Sequence, residues 1–344
     1  MKLQVLIKKN IPLLAVIIVF ILSRFAYYQQ GIRFQGETYK GYWQFIEETL
    51  LKTDLTRNVF YLHSQPPLFN LFTGIILQLF PTSNEVAFKV IYYFAGLILA
   101  VSIYFLGNAL GFRSTTSAIL SSIFIISPSS ILYENWLSYA YPLATMLTLS
   151  GVFLYRYVKA KKTSDGIYFF LLLATISLTW GLFHLIWVLA FAIIFLIIFK
   201  FNFKTIAISI FIPILLTVSW YTKNLVLYGE FTASSWAGMN LANITTFRLS
   251  QKERKQLQKE GILSNFATII PFRNPDVYLK FIKIEKTGVP ILDDSLKRNK
   301  PPSFSIYSSV TFYLKDAITV IRIHPIQYVQ SILQANYIYF HSTQ

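Results

Sequence analysis

The sequence predicts an all-α polytopic membrane protein. It should have about seven transmembrane helices, juxtamembrane helices in the first outer loop and a small α-rich extramembrane segment at the C-terminus. Three observations predict this. Only 13% of the residues are charged, against about 25% in soluble domains. Apolar residues make up 54% of the chain and gather into long runs nearly free of charge, at 11–27, 87–110, 138–158, 167–199 and 206–220. A bilayer core needs roughly 20 such residues as helix. The net charge of +16 collects mainly in the joints between runs and in the C-terminal third.

The elements follow in order. Lys2, Lys8 and Lys9 precede the first run, and no small-x-small cleavage site follows it. This reads as an uncleaved anchor with a cytoplasmic N-terminus. Segment 68–80, bounded by Pro66-Pro67 and Pro81, is short for a span and fits an interfacial or re-entrant segment. If it does not cross, the spans are about 11–27, 87–108, 116–132, 138–157, 167–181, 184–200 and 204–221. Arg113, Arg156, Lys159, Lys161, Lys162, Lys200 and Lys204 then fall on the cytoplasmic side, as the positive-inside rule requires. Trp136, Trp180 and Trp220 fall at the outer interface, where aromatic belts sit. The chain therefore divides into a transmembrane module, 1–221, with a first outer loop at 28–86, and an extramembrane segment, 222–344. In the latter, 307–323 and 325–340 read as two amphipathic helices parted by His324-Pro325.

Composition also excludes classes. With no cysteines, disulfides and thiolate metal sites are ruled out. The basic excess suits loops beside anionic lipid headgroups rather than nucleic acid. No Asp or Glu lies within the expected spans, which argues against an ion-coupled transporter. There is no phosphate-binding glycine loop and no HExxH spacing.

Five places carry candidate chemistry. Glu37 precedes a stretch, 39–51, where Tyr39, Tyr42, Trp43, Ile46 and Leu50 recur at helical spacing, expected as one helix in the headgroup plane. A carboxylate there, buried beside aromatics, suits a general base; the local alternative is a helix N-terminal charge. His63 and Gln65 stand before Pro66-Pro67 and can hold a phosphate or a sugar hydroxyl, or serve only as turn and cap. Glu134 lies beside Trp136 in a short outer turn and suits a sugar, or is a solvated turn residue. Lys223, in Trp220-Tyr221-Thr222-Lys223-Asn224, can hold a phosphate as a point charge or simply snorkel. Arg24, near the outer end of the first span, can pair with a phosphate or snorkel.

In this order the pieces resemble the GT-C superfamily of polyprenyl-phosphate-sugar-dependent glycosyltransferases, such as protein mannosyltransferases and lipid A aminoarabinose transferases. The resemblance covers roughly 10–245. It rests on Gly36-Glu37, on Gln65-Pro66-Pro67-Leu68, on Glu134 with Pro142, and on Trp220 to Asn224 followed by Tyr228-Gly229 and Ser234-Ser235. It implies inverting transfer of a sugar from a polyprenyl-phosphate donor to a glycan, lipid or protein acceptor, at the outer face of a bacterial inner membrane. Glu37 would be the base. Lys223 and Arg24 would hold the departing phosphate, and Tyr39, His63, Gln65 and Asn224 would contact substrate. Glu134 would orient the acceptor or, with Glu37, a divalent cation such as Mg2+ or Mn2+. Two positions depart from the family pattern: Glu37 replaces an aspartate, and Lys223 replaces an arginine, losing bidentate geometry. Together with a chain shorter than most members, they motivate a second reading, a non-catalytic lipid-linked-sugar binder, flippase or complex subunit.

Overall fold

The computed structural model describes residues 2–41, 45–273, 277–278, 280–281 and 303–341. They are helical, with no strand among the described residues. The chain forms two compact units. One comprises Met1–Leu62 and Pro66–Asn224, the other His63–Gln65 and Leu225–Gln344. The division falls near the expected boundary at 221, but three residues of the first loop belong with the tail.

In the first unit, α1 spans Lys2–Gln29. Val16, Phe20 and Arg24, each four residues apart, are its buried stripe, while Ile11, Leu14, Ile18, Ile21, Leu22 and Phe25 stay exposed. Side chains four apart share one helix face. The exposed apolar face is one that lipid solvates better than water. The stripe packs on α5 (Asn84–Ala109) and α6 (Ser114–Ile126). Gly107 of α5 permits the close approach of α6, because a Cβ there would lie 2.7 Å from Ser117 Oγ.

The stretch expected as one span at 116–132 is broken. α6 ends at Ile126 and α7 (Pro128–Glu134) departs at 61°. Pro128 has no N–H for the α6 ladder and suits a first helical turn. Ser127 is the joint: it closes α6, and its Oγ accepts the Ser130 N–H at 3.3 Å to begin α7.

The single helix expected over 39–51 is also replaced. A 3-10 turn, Thr38–Gly41, is followed by α2 (Glu48–Thr53) and α3 (Leu55–Phe60). Asp54 separates the two helices by accepting the Arg57 N–H at 3.3 Å, the usual N-cap device. Tyr42 and Trp43 lie outside the described residues. After Pro66-Pro67 comes α4 (Leu68–Leu79). Its 12 residues reach about 18 Å, short of a hydrocarbon core of about 30 Å.

The remaining helices of this unit are α8 (Ala140–Ala160), α9 (Thr163–Ser177), α10 (Leu185–Ile197) and α11 (Phe203–Tyr228), whose last residues belong to the tail unit. Tyr157, Phe169, Phe170, Phe195 and Phe201 form an aromatic core here, largely edge-to-face or tilted. The expected spans overlap α1, α5, the broken α6–α7 pair and α8 to α11, of which α9 with 15 residues and α10 with 13 are short for a crossing. Among the described residues, three helices are long and apolar enough to cross a membrane: Asn10–Gln29, Asn84–Ala109 and Phe203–Tyr228. The bent α6–α7 pair makes a fourth if taken as one span.

The tail unit has its own core. α12 (Ala237–Ile244), α13 (Gln251–Lys259), α14 (Ser303–Ile323) and α15 (Pro325–Phe340) surround or flank Trp236, Met239, Phe266, Tyr278, Val310 and Tyr313. The break at His324-Pro325 is where the sequence places it. Gly238 allows α12 onto α14, since a Cβ would sit 2.6 Å from the Val310 carbonyl oxygen. Of the tail's five prolines marked in the sequence, Pro275, Pro290, Pro301 and Pro302 lie outside the described residues.

Candidate functional site

The first loop and the turn after α7 are stitched together by backbone. The Gln35 N–H donates to the Asn135 carbonyl at 2.7 Å, and the Leu137 N–H donates to the Gln35 carbonyl at 3.2 Å, an isolated parallel bridge. Thr38 Oγ1 adds a bond to the Leu137 carbonyl at 2.7 Å. The segments flanking Glu37 and Glu134 are therefore neighbours. Between them opens a cleft of about 770 Å³, lined by Arg33, Gln35, Thr38, Tyr133, Asn135 and Trp136, among others. Tyr133 and Trp136 stack with ring centroids 6.3 Å apart. A mostly apolar concavity with a few polar groups is how ligand sites are commonly built.

Glu37 stands between residues that line this cleft. Its carboxylate is 80% exposed and accepts from Lys40 Nζ at 2.5 Å. The expected burial beside aromatics is not found, because the 3-10 turn brings Lys40 alongside instead. The bond to Glu37 raises the Lys40 ammonium above its ordinary range, so Lys40 stays charged there. Tyr39 belongs to the same turn; its side chain lies outside the described residues.

Glu134 and Arg24, 110 residues apart, are given to each other. Arg24 Nε donates to Glu134 Oε1 at 2.8 Å, its terminal amino group donates to Oε2, and Tyr141 Oη donates to Oε2 at 2.6 Å. Glu134 is 0% exposed and Arg24 7%. Gly96 makes the seat possible, since a Cβ there would collide with the Glu134 carboxylate and lie 2.9 Å from Tyr141 Oη. Glu134 and Arg24 are therefore not laid open for an acceptor or a phosphate. The fit of Glu37 and Glu134 to a shared divalent cation fails too, because the second carboxylate is buried and already engaged by a guanidinium and a phenol. Among the described residues, no three His, Asp or Glu side chains gather as metal ligands.

Lys223 Nζ donates to the Leu62 carbonyl at 2.7 Å and sits 3.5 Å from the Trp220 ring centroid. Its neighbour Tyr221 accepts the Leu185 N–H at 3.1 Å, and Asn224 is buried. In the tail unit, His63 Nδ1 bonds Ser235 Oγ at 2.8 Å and its ring packs on Tyr228. The Ser235 N–H donates to the His63 carbonyl at 2.9 Å, and Ser234 Oγ donates to the Ser64 carbonyl at 2.5 Å. These contacts draw His63–Gln65 out of the first unit; Gln65 is half-buried.

Arg33, a cation given no role from the sequence, lines the cleft, and Arg33 and Lys89, the lysine that departs from the positive-inside pattern of the short outer turns, both lie on the Tyr28 ring, at 3.9 and 4.9 Å from its centroid. The visible signal was Arg33 itself, a lone cation just beyond the first span. Compared with protein-family models, characterised proteins and solved structures, the chain matches none. Its class is that of an all-helical protein whose long apolar helices are consistent with a membrane setting.

Proposed function

We propose that the chain is a multi-pass membrane glycosyltransferase. It moves a sugar from a polyprenyl-phosphate donor to a glycan, lipid or protein acceptor on the extracytoplasmic face, with inversion. The single observation that carries this reading is the placement of Glu37, a first-loop carboxylate, in sequence between Gln35 and Thr38, which line an aromatic-walled cleft of about 770 Å³. The stacked Tyr133 and Trp136 suit a sugar ring, Gln35 and Asn135 suit its hydroxyls, and Glu37 accepts the proton of the acceptor hydroxyl as it attacks the anomeric carbon. The donor's phosphate leaves as an anion, which demands positive charge rather than a proton. Glu134 has no role in this chemistry; with Arg24 it holds the cleft wall in place.

The seven-span topology, with first loop and tail both outside, is part of the proposal. A second reading, a non-catalytic binder or complex subunit, is favoured by the exposed ion pair of Glu37 with Lys40. Labelled polyprenyl-phosphate sugars, offered to the reconstituted chain with a membrane acceptor fraction, separate the two. Label transfer by the wild type and loss of at least a hundredfold in Glu37→Gln is the expected outcome. Donor binding without transfer by either protein selects the second reading.

A further inference from the structure

Arg33 follows the end of α1, where its terminal amino group donates to the Tyr28 carbonyl at 2.5 Å and to the Ile32 carbonyl at 3.1 Å. The orphan carbonyls of a helix C-terminus attract a cation in this way. The anchoring uses one of the guanidinium's nitrogens. Its Nε and other amino group have no partner among the described residues and belong to a side chain that lines the cleft. The guanidinium carbon sits 3.9 Å from the Tyr28 ring centroid, a cation–π contact that helps hold the group in place.

Lys89 brings a second charge to the same ring. It reaches there from α5, 4.9 Å from the Tyr28 centroid and 5.5 Å from that of Tyr93, whose hydroxyl in turn meets Asn135 Oδ1 of the cleft lining at 3.3 Å. Among the described residues, neither Arg33 nor Lys89 forms an ion pair with a carboxylate. Two cations held on one ring repel each other, so the arrangement carries an electrostatic cost that a bound anion would offset. Arg24 and Lys223 differ: Arg24 is paired with Glu134 and Lys223 is bonded to a carbonyl.

We infer that the Arg33 end of the cleft, backed by Lys89 across Tyr28, is a binding site for a phosphate ester. Arg33 contacts the phosphate through its spare donors, and Lys89 contributes field. Charge-assisted bonds of this kind are about twice as strong as neutral ones. The site deepens the transferase reading by giving the donor's phosphate a place, and its test reads binding alone, so it stands or falls apart from turnover.

The test uses the full chain in nanodiscs, with a fluorescent short-chain isoprenyl phosphate and the matching isoprenol as probes. Wild type should prefer the phosphate. Arg33→Gln should weaken phosphate binding about tenfold or more, a loss of roughly 1.4 kcal/mol or more, and leave the isoprenol unchanged. Arg33→Lys should retain part of the preference, and Lys89→Gln should lose about threefold, more at low than at high salt. Competition by millimolar inorganic phosphate identifies free phosphate as a source, whereas its failure to compete assigns the site to the lipid ester; either supports the anion site. An unchanged preference for phosphate over alcohol in both Arg33→Gln and Lys89→Gln overturns the proposal. Glu37→Gln should bind the phosphate as wild type does, even where it transfers nothing.

Discussion

Arg24 shows how one side chain can look like a ligand group and be architecture. The break at Ser127-Pro128 strips the last carbonyls of α6 of their helical donors. Arg24 donates to the Ile125 carbonyl at 3.1 Å, and Tyr27, one turn on, donates to that of Ile126 at 3.0 Å. The rest of the guanidinium fork holds Glu134. One arginine thus caps a broken helix and neutralises a buried carboxylate. Removing one partner leaves the other charged in a low-dielectric site, which typically costs 3–5 kcal/mol. Glu134→Leu and Arg24→Leu should each destabilise the detergent-solubilised chain by about that much, and the double variant should recover part of the loss. Thermal unfolding reads all three. A Glu134→Leu protein that keeps its stability and loses donor binding would return Glu134 to the substrate. Both residues were conspicuous in the sequence because charge near a span is expensive. Their pairing was not, since no local spacing links positions 110 residues apart.

Among the elements, the long apolar helices and the break at His324-Pro325 were legible, because hydropathy runs and proline act locally. The bend between α6 and α7 was carried by Ser127-Pro128, but a stretch free of charge from 116 to 132 read as one span. The split of 39–51 depended on a 3-10 turn and on Asp54 as a cap, neither of which helical spacing reports. The tail unit offers an element-scale prediction. Asp316 of α14 is buried, accepts the Ser264 N–H at 2.9 Å and Ser264 Oγ at 2.6 Å, and so ties α14 to the 3-10 turn at Asn265–Thr268. Burial outweighs those bonds and raises its carboxyl above the ordinary 3.8. The folded state therefore holds this proton more tightly than the unfolded state. Below about 3.8 both states are protonated and Asp316 carries no penalty; as pH rises through the folded value the unfolded chain ionises first and stability falls. Glu230, also raised by burial, adds a slope of the same sign. Asp316→Asn should flatten the decline in unfolding temperature as pH rises above about 4. An unchanged slope in Asp316→Asn and a flat one in Glu230→Gln would assign the dependence to Glu230.

At the scale of the whole molecule, topology depends on whether α4 crosses the membrane, and the tail unit supplies a constraint that charge counting lacked. His63 and Ser235 are hydrogen-bonded through both backbone and side chain, so residues 63–65 and 234–235 lie on one side of any bilayer. An even number of crossings must then separate Gln65 from Ser234. The seven-span arrangement places six there; a crossing α4 would make seven and tear the tail unit apart. The sequence contains no cysteine, so single cysteines can be read without background by a membrane-impermeant thiol reagent. Lys52→Cys in the first loop and Lys259→Cys in the tail should label on intact cells, and Lys162→Cys between α8 and α9 only after permeabilisation. If Lys162→Cys labels on intact cells while Lys259→Cys is protected, α4 crosses the membrane, the basic cluster at 156–162 lies outside, and the proposed extracytoplasmic placement of the tail is lost with it.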